Sequence, residues 1–229
     1  MKDKIKARHL VEDRIRNWRK RLSPGNKAAF GIKSHKKKKV MRLIFQAKNC
    51  GRTGAAKLAQ ELSAQDSDRI IIALQLLPFL LPQMVFIIKE GDKKETVKRI
   101  KPTPQISKLH FIDVVPETTN LDYYLVNDRL GSDKHRKQPF ILLTGEESRP
   151  RQIFVIVENH AINVPTVLKG VDVCFKIHFV CDIHYSEFCK NVWYFLDVVF
   201  YKTGTLSDKN IPASVRELKA QLFCYSEQS

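Results

Sequence analysis

Apolar positions in this chain switch between two periods, and the switches mark its elements. Over residues 7–22, Leu10, Val11, Ile15, Trp18 and Leu22 recur at helical spacing, and the intervening positions hold mostly Arg and Lys. This predicts a basic amphipathic helix, ended by "SPGN" at 23–26. Residues 40–48 and 55–64 read as two further short helices around the break "CGRTG". The stretch Ile70–Ile88, "IIIALQLLPFLLPQMVFII", has no charge over 19 residues, which is membrane-spanning length. Pro78 and Pro82 interrupt its hydrogen-bond ladder where lipid supplies no replacement partner. The reading taken is therefore a buried helix ending before Pro78, a turn, and a strand over Met84–Ile88, with no membrane span.

Residues 89–138 carry Pro102, Pro104, Pro116 and "EGDKKE", so loops around short strands are expected. From Pro139 the pattern sharpens. "FILLTG" (140–145), "QIFVIVE" (152–158) and "HAINVP" (160–165) read as strands, the last two joined as a hairpin at Glu158-Asn159. Thr166 caps a helix with Val167, Leu168, Val171 and Phe175 on one face. "HFVCDIHY" (178–185) alternates and reads as a strand. Ser186 is then expected to cap a long helix reaching about Lys202, stopped by Gly204. A last helix follows Pro212. The fold class is α+β: a small helical N-terminal part, then a mostly antiparallel three- to four-stranded sheet packed by two or three helices. Three segments are expected: a basic helical arm at 1–50, a helical stretch with short strands at 51–138, and an α+β domain at 139–229.

Charge changes this picture at one end. Of the 229 residues, the first 50 hold 17 Lys and Arg against 3 Asp and Glu, a surplus of 14 in a total of +16. Residues 51–150 carry 15 against 13, and residues 151–229 carry 8 against 8. A cationic block beside a neutral remainder points to a polyanionic partner. Arg14, Arg16, Arg19, Lys20, Arg21, Lys36, Lys37, Lys38, Lys39 and Arg42 are the expected nucleic-acid contacts, made to phosphates without sequence preference. The four consecutive lysines also read as a nuclear-import signal. The charged N-terminus lacks the apolar run of a secretory signal. Five cysteines are too few for a disulfide scaffold, so free thiols are expected.

One stretch looks like chemistry. "CFKIHFVCDIHYSEFC" (174–189) holds three cysteines and two histidines. As a metal site it fails on spacing. His178 and His184, six apart on a strand, would lie about 20 Å from each other. Cys189 in the first turn of a helix, with His184 upstream, is a candidate nucleophile. Against that, the following helix is apolar nearly all round, which makes Cys189 a core residue. The sequence has no phosphate-binding glycine loop, and no carboxylate cluster is read from it as a two-metal centre. A non-enzymatic protein without a cofactor or metal is expected.

The segments "QPFILLTG", "FVIVENHAINVP", "VLKGVDVCFKIHFVCDIHYSEFCKNVWYFLDVVFYKTG" and "PASVRELKAQL", with "LLPFLLP" at 76–82, resemble the C-terminal domain of a family of uncharacterised animal proteins. Its members are frequent in fish, cnidarians and arthropods, are sometimes described as sterile-alpha-motif-like, and are associated with mobile-element-derived genes. The resemblance covers about residues 76–88 and 138–222. It implies no activity, cofactor or catalytic residue. It implies apolar positions at Cys174 and Cys181, hence packing rather than ligation. The expectation is an intracellular, nuclear protein whose basic arm contacts nucleic acid and whose C-terminal domain is a scaffold or interaction module, through a protein partner or a second copy. The alternative is an interaction module whose basic run serves only nuclear import.

Overall fold

A computed structural model describes residues 69–90, 96–125, 138–147, 149–158, 160–204 and 206–224. The expected helices at 7–22, 40–48 and 55–64, and the lysine run, lie outside these residues. The described chain is α+β, with six helices and two sheets.

Helix α1 (Arg69–Leu80) is buried on every side from Ile71 to Leu80, as a run that is apolar but for Gln75 requires. It does not end before Pro78. Pro78 lies inside it, and Leu81 N–H still bonds the Leu77 carbonyl at 2.9 Å. Proline removes one donor, but burial of the helix on all sides outweighs that loss. Among the described residues no helix is long and apolar enough to cross a membrane. Strands β1 (Phe86–Glu90) and β2 (Thr96–Ile100) form a separate antiparallel ribbon.

Helix α2 (Pro104–Phe111) falls where only loops and strands were expected. Thr103 Oγ1 accepts from Ile106 N–H at 3.3 Å, and proline occupies the first helical position, where no N–H is needed. The helix runs straight into β3 (Ile112–Val115). A short helix, α3 (Leu121–Tyr123), follows. Strands β4 (Phe140–Gly145), β5 (Pro150–Val157) and β6 (His160–Asn163) then form an antiparallel meander, with the expected tight hairpin between β5 and β6. The sheet order is β3-β4-β5-β6, and β3 pairs with β4 in parallel.

Helix α4 (Val167–Val180) starts at the expected cap, with Thr166 Oγ1 accepting from Lys169 N–H at 3.2 Å. It continues to Val180, so 178–185 is not a strand. Residues 178–180 finish the helix, 181–182 turn, and 183–186 form neither helix nor strand. Helix α5 (Lys190–Leu196) begins three residues later than a cap at Ser186 would set it, and it widens into a π-helical turn (Asp197–Tyr201). That turn ends at Lys202, whose φ is 51°, before Gly204 is reached. A single 3-10 turn (Asp208–Asn210) precedes helix α6 (Ala213–Cys224).

The sheet therefore has its four strands, but the fourth is β3 from upstream. The principal core lies on one sheet face. Ile112, Ile141, Leu143 and Val155 meet Leu76 and Leu77 of α1, Phe175 of α4, Trp193 of α5 and Leu218 of α6. Phe140, Leu142, Phe154 and Ile156 point to the opposite face and pack with Tyr124 and Leu125. Residues before and after 139 thus share one core.

Candidate functional site

All ten basic residues singled out above lie outside the described residues. The described region with concentrated polar chemistry is the 174–189 junction and what it touches.

Helix α4 turns Cys174, Phe175 and His178 inward. Its end is a Schellman stop: Asp182 takes φ 52°, and Ile183 N–H reaches back to the His178 carbonyl at 2.9 Å. This fold-back brings the Ile183 carbonyl 3.1 Å from His178 Nδ1. That nitrogen therefore carries the proton. Nε2 is buried without a hydrogen-bond partner. Burial drives the His178 pKa down from 6.5 to about 4, and it outweighs the Ile183 carbonyl and the nearby Pro139 carbonyl, which favour the charged ring.

Rings close around this histidine. Tyr185 meets it edge-on at 4.9 Å, and Trp193 lies at 5.2 Å. Tyr185 also stacks on Trp193 at 5.9 Å, and Tyr201 stacks on Phe175 at 3.7 Å. Burial, then the Asp197 carboxylate, pushes the Tyr185 hydroxyl well above the usual tyrosine range. Asp197 is buried and accepts from both the backbone N–H (3.0 Å) and the hydroxyl (2.7 Å) of Thr203.

The sulfur atoms do not converge on the histidines. Cys174 is sealed in the core, and burial, then Cys189, pushes its thiol well above the ordinary range. Cys189 is not in the first turn of a helix. It occupies the residue before α5, makes no side-chain cap bond, and directs Sγ at the His110 carbonyl, 3.5 Å away. His184 is exposed, while Cys189 is fully buried. Among the described residues, no three His, Cys, Asp or Glu side chains stand close enough to hold a metal ion.

A second cluster escaped the sequence reading, because its members are 76 positions apart. Ser186 Oγ lies 3.3 Å from His110 Nδ1 and accepts from Phe188 N–H at 3.4 Å. The His110 ring stacks on Phe188 at 4.1 Å, and Phe86 of β1 meets Phe188 edge-on at 4.9 Å. Ser186, His110 and Cys189 are all buried, so the cluster works as a joint between α2, the start of α5 and the root of the β1–β2 ribbon. Beside it, Asn191 N–H donates to Gln83 Oε1 at 3.0 Å, and Asn191 Nδ2 donates to the Pro82 carbonyl at 2.6 Å. Both side chains are buried polar groups spent on fixing backbone.

The charged groups form two further ties. Lys108 pairs with the Glu147 carboxylate, and Gln75 Nε2 donates to the Glu147 carbonyl at 3.2 Å. Burial lowers the Lys108 pKa, against the pull of Asp113. On the other sheet face, Tyr124 donates its hydroxyl to Asp113 Oδ2 at 2.6 Å. The Glu147 contacts join elements distant in sequence, 39 and 72 positions apart. No family model, curated protein or solved structure matches this chain.

Proposed function

We propose that this is a non-enzymatic nuclear protein that binds nucleic acid through its N-terminal arm and uses its α+β body as a scaffold or interaction module. The observation that carries the reading is the charge distribution: a surplus of 14 in the first 50 residues, against balance over residues 151–229. Phosphates take up cations and release condensed counterions, which yields affinity without base reading. Arg14, Arg16, Arg19, Lys20, Arg21, Lys36–Lys39 and Arg42 supply those cations. The body then presents a protein partner or a second copy.

Fluorescence anisotropy with a labelled duplex tests this. Affinity is expected to drop by several orders of magnitude between low and physiological salt, as for any protein making six or more phosphate contacts, and removal of residues 1–42 is expected to abolish binding. Binding insensitive to both would refute it. The Lys36–Lys39 run favours one rival, in which the basic segment serves import alone. A fluorescent fusion that enters the nucleus and exchanges freely there, with no retention on nucleic acid, would select the rival.

A further inference from the structure

The β1–β2 ribbon stands apart from the main sheet and carries an unusual outer face. Ile87 lies directly opposite Arg99, and both are exposed. Val85 and Lys101, two residues further along each chain, are exposed as well. Met84, Val85 and Ile87 are 62%, 54% and 55% exposed, more than any other large apolar residue among the described ones except Tyr123. Among the described residues neither Arg99 nor Lys101 has a carboxylate within ion-pair range. An exposed apolar cluster of this kind marks an interaction surface.

The opposite face explains why the ribbon holds this pose. Phe86 points inward onto Phe188, which is stacked on His110. Just before the ribbon, Gln83 and Pro82 are fixed by Asn191. The outward display of Val85 and Ile87 follows from alternation once Phe86 is anchored.

We infer that this ribbon is a second contact for the polyanion that the N-terminal arm binds, and that its partner is duplex DNA, entered from the major groove. The inference rests on the nucleic-acid reading and narrows it. Three features select this occupant. The two cations have the same sign as the arm, so both surfaces suit one phosphate-bearing molecule. A two-stranded ribbon is a shape that the DNA major groove, about 12 Å wide, admits. The apolar groups are aliphatic: they offer no flat ring on which an unpaired base would stack, but they match the thymine methyl displayed in that groove. The RNA duplex has a narrow major groove that side chains do not read.

The test uses the full chain and a DNA duplex of about two helical turns. It compares Arg99→Ala/Lys101→Ala, Val85→Ser/Ile87→Ser and a Lys36–Lys39→Gln arm variant, each checked for an unchanged thermal melt. The cation pair is expected to reduce the slope of log affinity against log salt by about two. The aliphatic pair is expected to weaken binding about three- to tenfold with the slope unchanged. Replacing thymine by deoxyuridine, which removes only the methyl, is expected to weaken the parent protein and leave Val85→Ser/Ile87→Ser unaffected. Ribbon variants that bind like the parent, while the arm variant is weakened, overturn this inference and leave the arm reading standing. Weakened ribbon variants with an unaffected arm variant overturn the arm reading, and with it the ribbon's place as a second contact. Ribbon variants that lose binding to single-stranded DNA, an RNA duplex, an acidic peptide or phosphatidylserine vesicles, and not to duplex DNA, overturn the choice of partner.

Discussion

At the scale of single residues, His178 carries a consequence for stability. The folded ring is neutral because burial disfavours the imidazolium, with a pKa of about 4 against 6.5 in an exposed chain. Above pH 6.5 neither state binds the proton. Below it, the unfolded chain takes up a proton that the folded one refuses until about pH 4. Stability must fall across that window and level off beneath it. The loss attributable to this one ring is about 2 kcal/mol between neutral pH and about pH 5. His178→Phe keeps a ring among Tyr185 and Trp193 and removes the titration. In urea denaturation the parent should lose about 2 kcal/mol relative to the variant between neutral pH and about pH 5, and parallel pH profiles would show that His178 does not titrate this way.

At the scale of elements, the end of α4 shows how local geometry hid from the sequence. A left-handed residue closes that helix, and glycine is its usual signal. Here the position is Asp182. With no glycine to mark the stop, Phe179, Cys181, Ile183 and Tyr185 read as one face of a strand. The same holds at Lys202, where a second left-handed non-glycine residue ends the π-helical turn ahead of Gly204. Asp182→Gly should relieve the backbone and raise stability by up to about 1 kcal/mol, seen as a higher thermal midpoint. A lowered midpoint would mean that the Asp182 side chain stabilises the turn. Where the side chain itself does the capping, the signal was readable: Thr166 accepts its helix amide as expected. The β5–β6 hairpin was readable for a similar reason, since two β-branched and aromatic runs flank a two-residue turn. Helix α2 was obscured because Pro104 suggests a break, although proline at the first helical position suits a start.

At the scale of the whole molecule, what the sequence could not convey is long-range. The β3–β4 pairing joins Ile112 to Ile141, and no local period specifies it. The Ser186–His110 contact spans 76 positions. The ribbon's apolar run read only as a strand, and the exposure of Val85 and Ile87 is a property of the assembled body. The charge asymmetry, in contrast, was fully legible, since it needs only counting. One outcome bears on the segment expected at 139–229. Its sheet face is completed by Ile112 of β3 and covered by Ile72, Leu76 and Leu77 of α1, all buried. A fragment starting at 139 loses these and exposes the cavity-lining side of Ile141, Leu143 and Trp193. It should show no cooperative melt by near-UV circular dichroism, whereas the full chain should. A sharp transition in the fragment would mean that it folds independently.

Among the described residues β6 has no strand on its outer side, and this bears on how the molecule avoids sticking to its own kind. An edge strand is a template for any extended chain that can match its open amides and carbonyls. Val164 N–H bonds the Ile153 carbonyl, so alternation commits Ile162 and His160 to β5 and turns only Ala161 and Asn163 outward. Pro165 follows without an N–H, and the left-handed Glu158 closes the other end. An incoming strand therefore finds two residues' worth of open ladder, too short to seed fibril growth, even though Ile162 is half-exposed beside it.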